Sequence, residues 1–228
     1  MKFTHFPQNT VRFLQDLAKN NNKDWFAENR SRYDSFFLAP AVGFVNEIAP
    51  KLQEISPDVV CEAKIDRSIF RIYKDARRHR GQAPFKTHLG LVFWLNTEQS
   101  RVEAPCYYFH LEPPFYSAGV GIAYFTPEFL QKFRTALTTE KYAQRLQAIL
   151  DTAKREYWEI EGNMLKKLPK GFEPVAGYEN LLLYKSLYLS DETPINSDFY
   201  KDDFLDRIVD IYKKMSPYYE FLKDIMRS

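Results

Sequence analysis

The chain has 228 residues, and 32 Lys+Arg against 30 Asp+Glu leave a formal net charge of +2, which excludes a uniformly basic coat for nucleic acid. With 45% hydrophobic and 27% charged residues it is neither a disordered nor a membrane-embedded chain, and at this length the core needs no staple of disulfide or metal. The longest apolar run, Leu89 to Leu95, is far short of the ~20 residues a bilayer needs, and Cys61 and Cys106 are too distant for a Cys-x-x-Cys pair, so a reduced, cytoplasmic protein is expected.

The first third reads as helical. Val11, Leu14, Leu17 and Ala18 recur at helical spacing, with Asn9 or Thr10 as the expected N-cap. Asn20-Asn21-Asn22 breaks the pattern and caps a second helix that carries Phe26, Tyr33 and Phe37 on one face. A further helix restarts at Pro40, with Val45, Ile48, Leu52 and Ile55 as its apolar stripe. The period then changes to two, predicting strands over Thr87–Asn96, Pro105–Glu112 and Phe115–Phe125, and a weaker one over Ser68–Tyr73. Helical spacing returns from Pro127 to about Lys154. A mixed stretch follows over Trp158–Pro174, then a short helix over Glu179–Lys185, an extended stretch over Ser186–Leu189, and a helical end interrupted at Pro217. No repeat or linker divides residues 1–228. The expected fold is a single α+β domain, a mainly antiparallel sheet with helices packed on one face.

The strand parity carries the chemistry. In Cys106–Glu112 the odd positions Tyr107, Phe109 and Leu111 are apolar, so His110 and Glu112 project together from the other face. Pro113-Pro114 suggests a loop longer than a two-residue hairpin turn, since such turns need positive φ. A hairpin there sets His110 opposite Ser117 and Tyr108 opposite Gly119. Matching apolar faces with the Leu89–Leu95 run then brings His88 near His110 or Glu112. Gly90, Gly119 and Gly121 on that side read as the floor of a pocket; the competing reading is that they accommodate a crossing helix.

Residues 64–90 carry eight basic side chains against Asp66 and Asp75, a net +6 where the whole chain has +2. Such a concentration attracts anions. Arg67 and Arg71 alternate with Phe70 and Ile72, so they are expected in a buried element, where a charge must find a partner or a ligand. Arg78 and Arg80 read as a solvated loop. Arg30, on the face of Phe26 and Tyr33, raises the same question of a buried charge.

Several stretches resemble one family, the domain of unknown function DUF2461. They are Asn20-Asn-Asn-Lys-Asp-Trp-Phe26 with Arg30 and Tyr33, Phe70-Arg-Ile-Tyr-Lys-Asp-Ala-Arg77, Pro84-Phe-Lys-Thr-His88, Tyr108-Phe-His-Leu-Glu-Pro113, Gly119 and Gly121, and Tyr184-Lys-Ser186. The resemblance implies that these segments belong to one shared pattern, and it brings no assigned activity or catalytic residue. The sequence departs from that pattern at Arg78-His-Arg-Gly-Gln82, His79 included.

The expected function is binding of a small anionic ligand bearing phosphate or carboxylate, with acid–base turnover as its catalytic version. His88, His110 and Glu112 are the acid–base candidates. Trp25, Arg30, Arg67, Arg71, Tyr73, Arg77, Lys86 and Lys185 are the ligand-binding candidates, Tyr73 and Lys86 from spacing alone. His110-x-Glu112 with His88 has the residue types of a metal site, but the surrounding positive charge weighs against a cation, so no metal and no cofactor is assigned. Nucleic acid, tracked by the basic segment and stacked on Phe70, Tyr73 and Phe85, is the alternative partner, with a protein-interaction module as the third. A nucleophile finds little support: Cys106 reads as a small packed residue, and no Gly-x-Ser-x-Gly elbow occurs.

Overall fold

A computed structural model describes residues 3–75, 77 and 81–228. The architecture is the expected α+β fold, a six-stranded antiparallel sheet with helices packed against it. In chain order the elements are α1 (Gln8–Lys19), α2 (Lys23–Glu28), α3 (Arg30–Tyr33), α4 (Ala39–Ile55), β1 (Val59–Val60), β2 (Leu89–Leu95), β3 (Cys106–Glu112), β4 (Phe115–Gly121), α5 (Pro127–Leu137), α6 (Glu140–Arg155), β5 (Glu159–Glu161), β6 (Tyr188–Pro194) and α7 (Phe204–Arg227). The strands lie in the order β1-β2-β3-β4-β6-β5. No helix among the described residues is long and apolar enough to cross a membrane.

The chain forms two compact units. The first comprises Met1–Phe93, Tyr108–Ser117 and Thr193–Asp210. Its core is aromatic. Phe6 stacks on Phe44 at 5.4 Å and on Phe109 at 5.5 Å, and meets Phe204 edge-on at 6.1 Å. Helix α1 supplies Val11, Phe13, Leu14 and Leu17 as its buried stripe. It begins at Gln8 with Pro7 at the N-cap position, which has no side-chain acceptor, so the expected cap at Asn9 or Thr10 is not formed; both lie inside the helix, and the buried Thr10 hydroxyl donates to the Phe36 carbonyl. Asn22 does cap α2, accepting from the Trp25 N–H at 2.9 Å.

Residues 65–73 make isolated bridges rather than the expected strand: Ile69 with Leu91 and Tyr73 with Phe85. The Phe70 N–H donates to Gly90 and the Val92 N–H to Ser68, at 3.1 and 2.9 Å, so the segment follows β2 without joining the sheet as a full strand. Pro113 and Pro114 form a two-residue turn rather than the longer loop expected; their peptide is cis and neither has positive φ.

The second unit comprises Trp94–Tyr107, Ala118–Glu192 and Ile211–Ser228. Tyr107 stacks on Tyr219 at 4.6 Å, and the buried Tyr218 hydroxyl donates to the Leu187 carbonyl at 2.8 Å. The helical stretch expected from Pro127 to about Lys154 is made of two helices. Thr138 and Thr139 turn their hydroxyls back onto the carbonyls of Thr135 and Ala136, at 2.8 and 2.7 Å, taking acceptors a continuing helix would use. The opposite happens at Pro217, where α7 continues. Proline has no N–H for the Lys213 carbonyl, and the Ser216 hydroxyl supplies that bond at 2.8 Å.

Candidate functional site

The candidate residues His88, His110 and Glu112 lie in the first unit, on two adjacent strands or just before them. His110 and Glu112 share one face of β3 by the period of two. His88 sits one residue before β2, not within it, and is placed by the segment leading into that strand. That segment is well anchored. The Asn21 side chain donates to the Phe85 carbonyl and accepts from the Phe85 N–H, both at 3.0 Å, and the Lys86 N–H donates to Ile72 at 2.8 Å.

The two imidazoles lie 4.5 Å apart between centroids, tilted by 33°. Around them runs a chain of polar contacts. The Tyr108 hydroxyl is 3.1 Å from His110 Nδ1, His110 Nε2 is 3.3 Å from Glu112 Oε2, and the Thr87 hydroxyl donates to Glu112 Oε1 at 2.6 Å. His110 and Glu112 remain 27% and 45% exposed, so solvent reaches both.

The electrostatics separate the groups. Burial pushes the His88 imidazolium pKa down to about 4, helped by His110, Lys86 and Lys74 and opposed by Glu112, so the ring is neutral at physiological pH. Burial works to raise the Glu112 carboxyl, but hydrogen bonds from Thr87 and His110 outweigh it and hold the pKa below the ordinary value. A neutral imidazole and an ionised carboxylate therefore stand side by side. Elsewhere, burial pushes the Cys61 and Cys106 thiols up to about 12, which leaves neither a thiolate nucleophile at neutral pH.

The glycines are not the open floor expected. At Gly90 a methyl group would meet the Tyr108 hydroxyl at 2.7 Å and the Phe70 ring at 3.2 Å. Gly119 lies beneath Leu189 and Ser190, and Gly121 beneath Tyr188. The space over all three is taken by neighbouring side chains and strand backbone, and not by the crossing helix of the competing reading. What remains accessible is the edge of the trio.

The basic candidates separate in the same way. Arg67 and Arg71 are exposed rather than buried, because their segment is not an interior strand. Arg67 grips Glu62 at 2.8 and 2.6 Å, and Arg77 grips Asp75 at 3.1 and 2.9 Å. Arg30 is likewise exposed and bonds Asp34 at 3.2 Å, with its guanidinium over Tyr33. Lys86 extends over the Phe70 ring at 5.2 Å. Tyr73 is 48% exposed and packs on Phe26 and Phe85, and Trp25 packs on Phe13 at 6.0 Å beside the Arg32 guanidinium. Lys185 is exposed, its backbone N–H bonded to Asn163. Arg78, His79 and Arg80 lie outside the described residues.

Thr87, Tyr108 and Asn21 orient the trio and are absent from the candidates read from sequence. Thr87 and Tyr108 are short-range neighbours of His88 and His110 in sequence. Asn21 sits in the Asn triplet, where capping was the visible role.

The model of the conserved hypothetical protein family DUF2461 matches residues 9–221. The chain belongs to the DUF2461 family. The match spans both compact units and includes every candidate site residue. No curated protein matches this DUF2461 chain.

Proposed function

We propose that this DUF2461 protein binds a small anionic ligand, bearing phosphate or carboxylate, at the exposed edge of His88, His110 and Glu112. The observation that carries the reading is the continuous contact chain from Tyr108 through His110 and Glu112 to Thr87, with the second imidazole beside it. Two lysines, Lys86 and Lys74, act electrostatically on His88 and supply the attraction for an anion. Arg30, Arg67 and Arg77 already hold carboxylates and are left out of the site. The Glu112 carboxylate would repel a bare anion, so the favoured ligand is anionic at one end and carries a proton donor at the other. His110 and Glu112 are within reach of one proton, which suits acid–base turnover of such a ligand.

Thermal unfolding in the presence of inorganic phosphate and of acetate tests the proposal. A ligand at 100 times its Kd stabilises the folded form by about 2.7 kcal/mol, a rise of roughly 5–10 °C for a chain of this size. The rise should vanish in Lys86→Ala and persist in Arg67→Ala. Equal rises in both variants, or none in the native chain with a panel of phosphates and carboxylates, refute it.

A further inference from the structure

We infer that His88, His110 and Glu112 form a binding site for one divalent transition-metal ion of the zinc, cobalt or iron class. The inference deepens the function proposed above by naming an ion for the same site, and rests on it only for the accessibility of that edge. Each of the three residues offers one ligand atom, and these atoms all lie within 4.8 Å of one another. His110 Nε2 and Glu112 Oε2 already stand 3.3 Å apart, close to the spacing of neighbouring ligands around a tetrahedral ion with bonds of about 2.1 Å. The widest pair must close to roughly 3.5 Å, a modest side-chain rotation for groups that retain solvent exposure.

The outer partners are the stronger argument. In metal sites the ring nitrogen that does not touch the ion is held by a hydrogen bond, and so is the free oxygen of a carboxylate ligand. Here the Tyr108 hydroxyl stands at His110 Nδ1, leaving Nε2 toward the trio. The Thr87 hydroxyl binds Glu112 Oε1, leaving Oε2 toward the trio. The atoms left facing inward are those that an ion would take. His110 Nε2 and Glu112 Oε2 face each other at 3.3 Å, and an ion there would take the place of the hydrogen bond between them.

Charge on the neighbouring segment, which in sequence weighed against a cation, is largely answered locally. Arg67 is paired with Glu62 and Arg77 with Asp75. Lys86 and Lys74 still act on His88 and oppose the ion, while Glu112 favours it. Two imidazoles and one carboxylate are donors for a borderline ion and are poor ones for calcium or magnesium, which want oxygen throughout. Three protein ligands leave coordination positions for water or for an oxygen of the anionic ligand, so the lysines and the ion would share one anion.

The test is titration of the full-length, chelator-stripped protein with zinc chloride, followed by calorimetry, and with cobalt chloride, followed by its visible absorption. The expected result is one ion per chain, affinity reduced at least ~100-fold in His88→Ala and in His110→Ala, and no response to magnesium or calcium chloride. Glu112→Gln keeps the size of a half-exposed side chain and serves as the variant least exposed to a folding failure, with circular dichroism as the check. Absence of one-to-one binding, or binding unchanged in Glu112→Gln and His110→Ala, overturns the inference. Phosphate binding in excess EDTA without zinc binding sinks the metal site and leaves the anion reading standing. Zinc binding without any anion response does the reverse.

Discussion

Gly90 offers the sharpest test of how the site is built. A methyl group there would stand 2.7 Å from the Tyr108 hydroxyl oxygen, 3.2 Å from a Phe70 ring carbon and 3.4 Å from a Tyr108 ring carbon. The oxygen contact is about 0.6 Å inside van der Waals separation, and the hydroxyl cannot withdraw without leaving His110 Nδ1, 3.1 Å away. Gly90→Ala therefore overpacks a buried strand, costing about 1–3 kcal/mol, while removal of glycine's backbone freedom returns about 0.5–1 kcal/mol. The expected net loss is about 0–2.5 kcal/mol in urea denaturation. Tyr108→Phe alone loses one hydrogen bond, about 0.5–1.5 kcal/mol. In the double variant the oxygen that the methyl strikes is gone, so the two costs should fall short of additive by at least ~0.5 kcal/mol. Strict additivity would refute the reasoning that Gly90 exists to seat the tyrosine.

Three further expectations follow from the same geometry. Thr87→Val removes the 2.6 Å bond to Glu112 and should weaken zinc binding ~10- to 100-fold while shifting unfolding by no more than ~1 kcal/mol; calorimetry and urea titration separate the two effects. Phe6→Ala opens a fully buried position stacked on Phe44 and Phe109 and should cost about 3–5 kcal/mol, read from the urea midpoint. The Tyr188 phenol pKa is pushed up to about 12 by its 2.7 Å bond to Glu161, by burial and by that carboxylate's charge. Because the folded-state pKa is the higher, its contribution to stability is complete below pH ~10 and is lost as the pH climbs toward 12. The ultraviolet difference between native and Tyr188→Phe chains should titrate near 12; a difference that titrates near 10 contradicts the assignment.

Alternation along β3 made the heart of the candidate site readable. Two residues apart on a strand means one face, and His110 and Glu112 do meet. The approach of His88 followed from matching apolar faces, although the strand it was assigned to begins one residue later. The arginines were opaque for a different reason. Whether Arg67 is buried depends on whether residues 65–73 enter the sheet, and its carboxylate partner lies five residues upstream, outside any helical or strand repeat. The break at Thr138-Thr139 rests on hydroxyls competing for helix carbonyls, an effect that apolar periodicity does not register. The covering of Gly90 was invisible because it comes from Phe70 and Tyr108, each near it only in space.

The Asn21 amide acts as a surrogate strand partner for Phe85, satisfying both the donor and the acceptor of one residue 64 positions away. Together with the Lys86 N–H bond to Ile72, that doublet ties the turn between α1 and α2 to the segment that carries His88. Loss of the Asn21 amide would leave the backbone bonds of Lys74 and Lys86 and the Phe26–Phe85 stack to hold the segment, so the stance of the imidazole depends on the N-terminal helices as well as on the sheet.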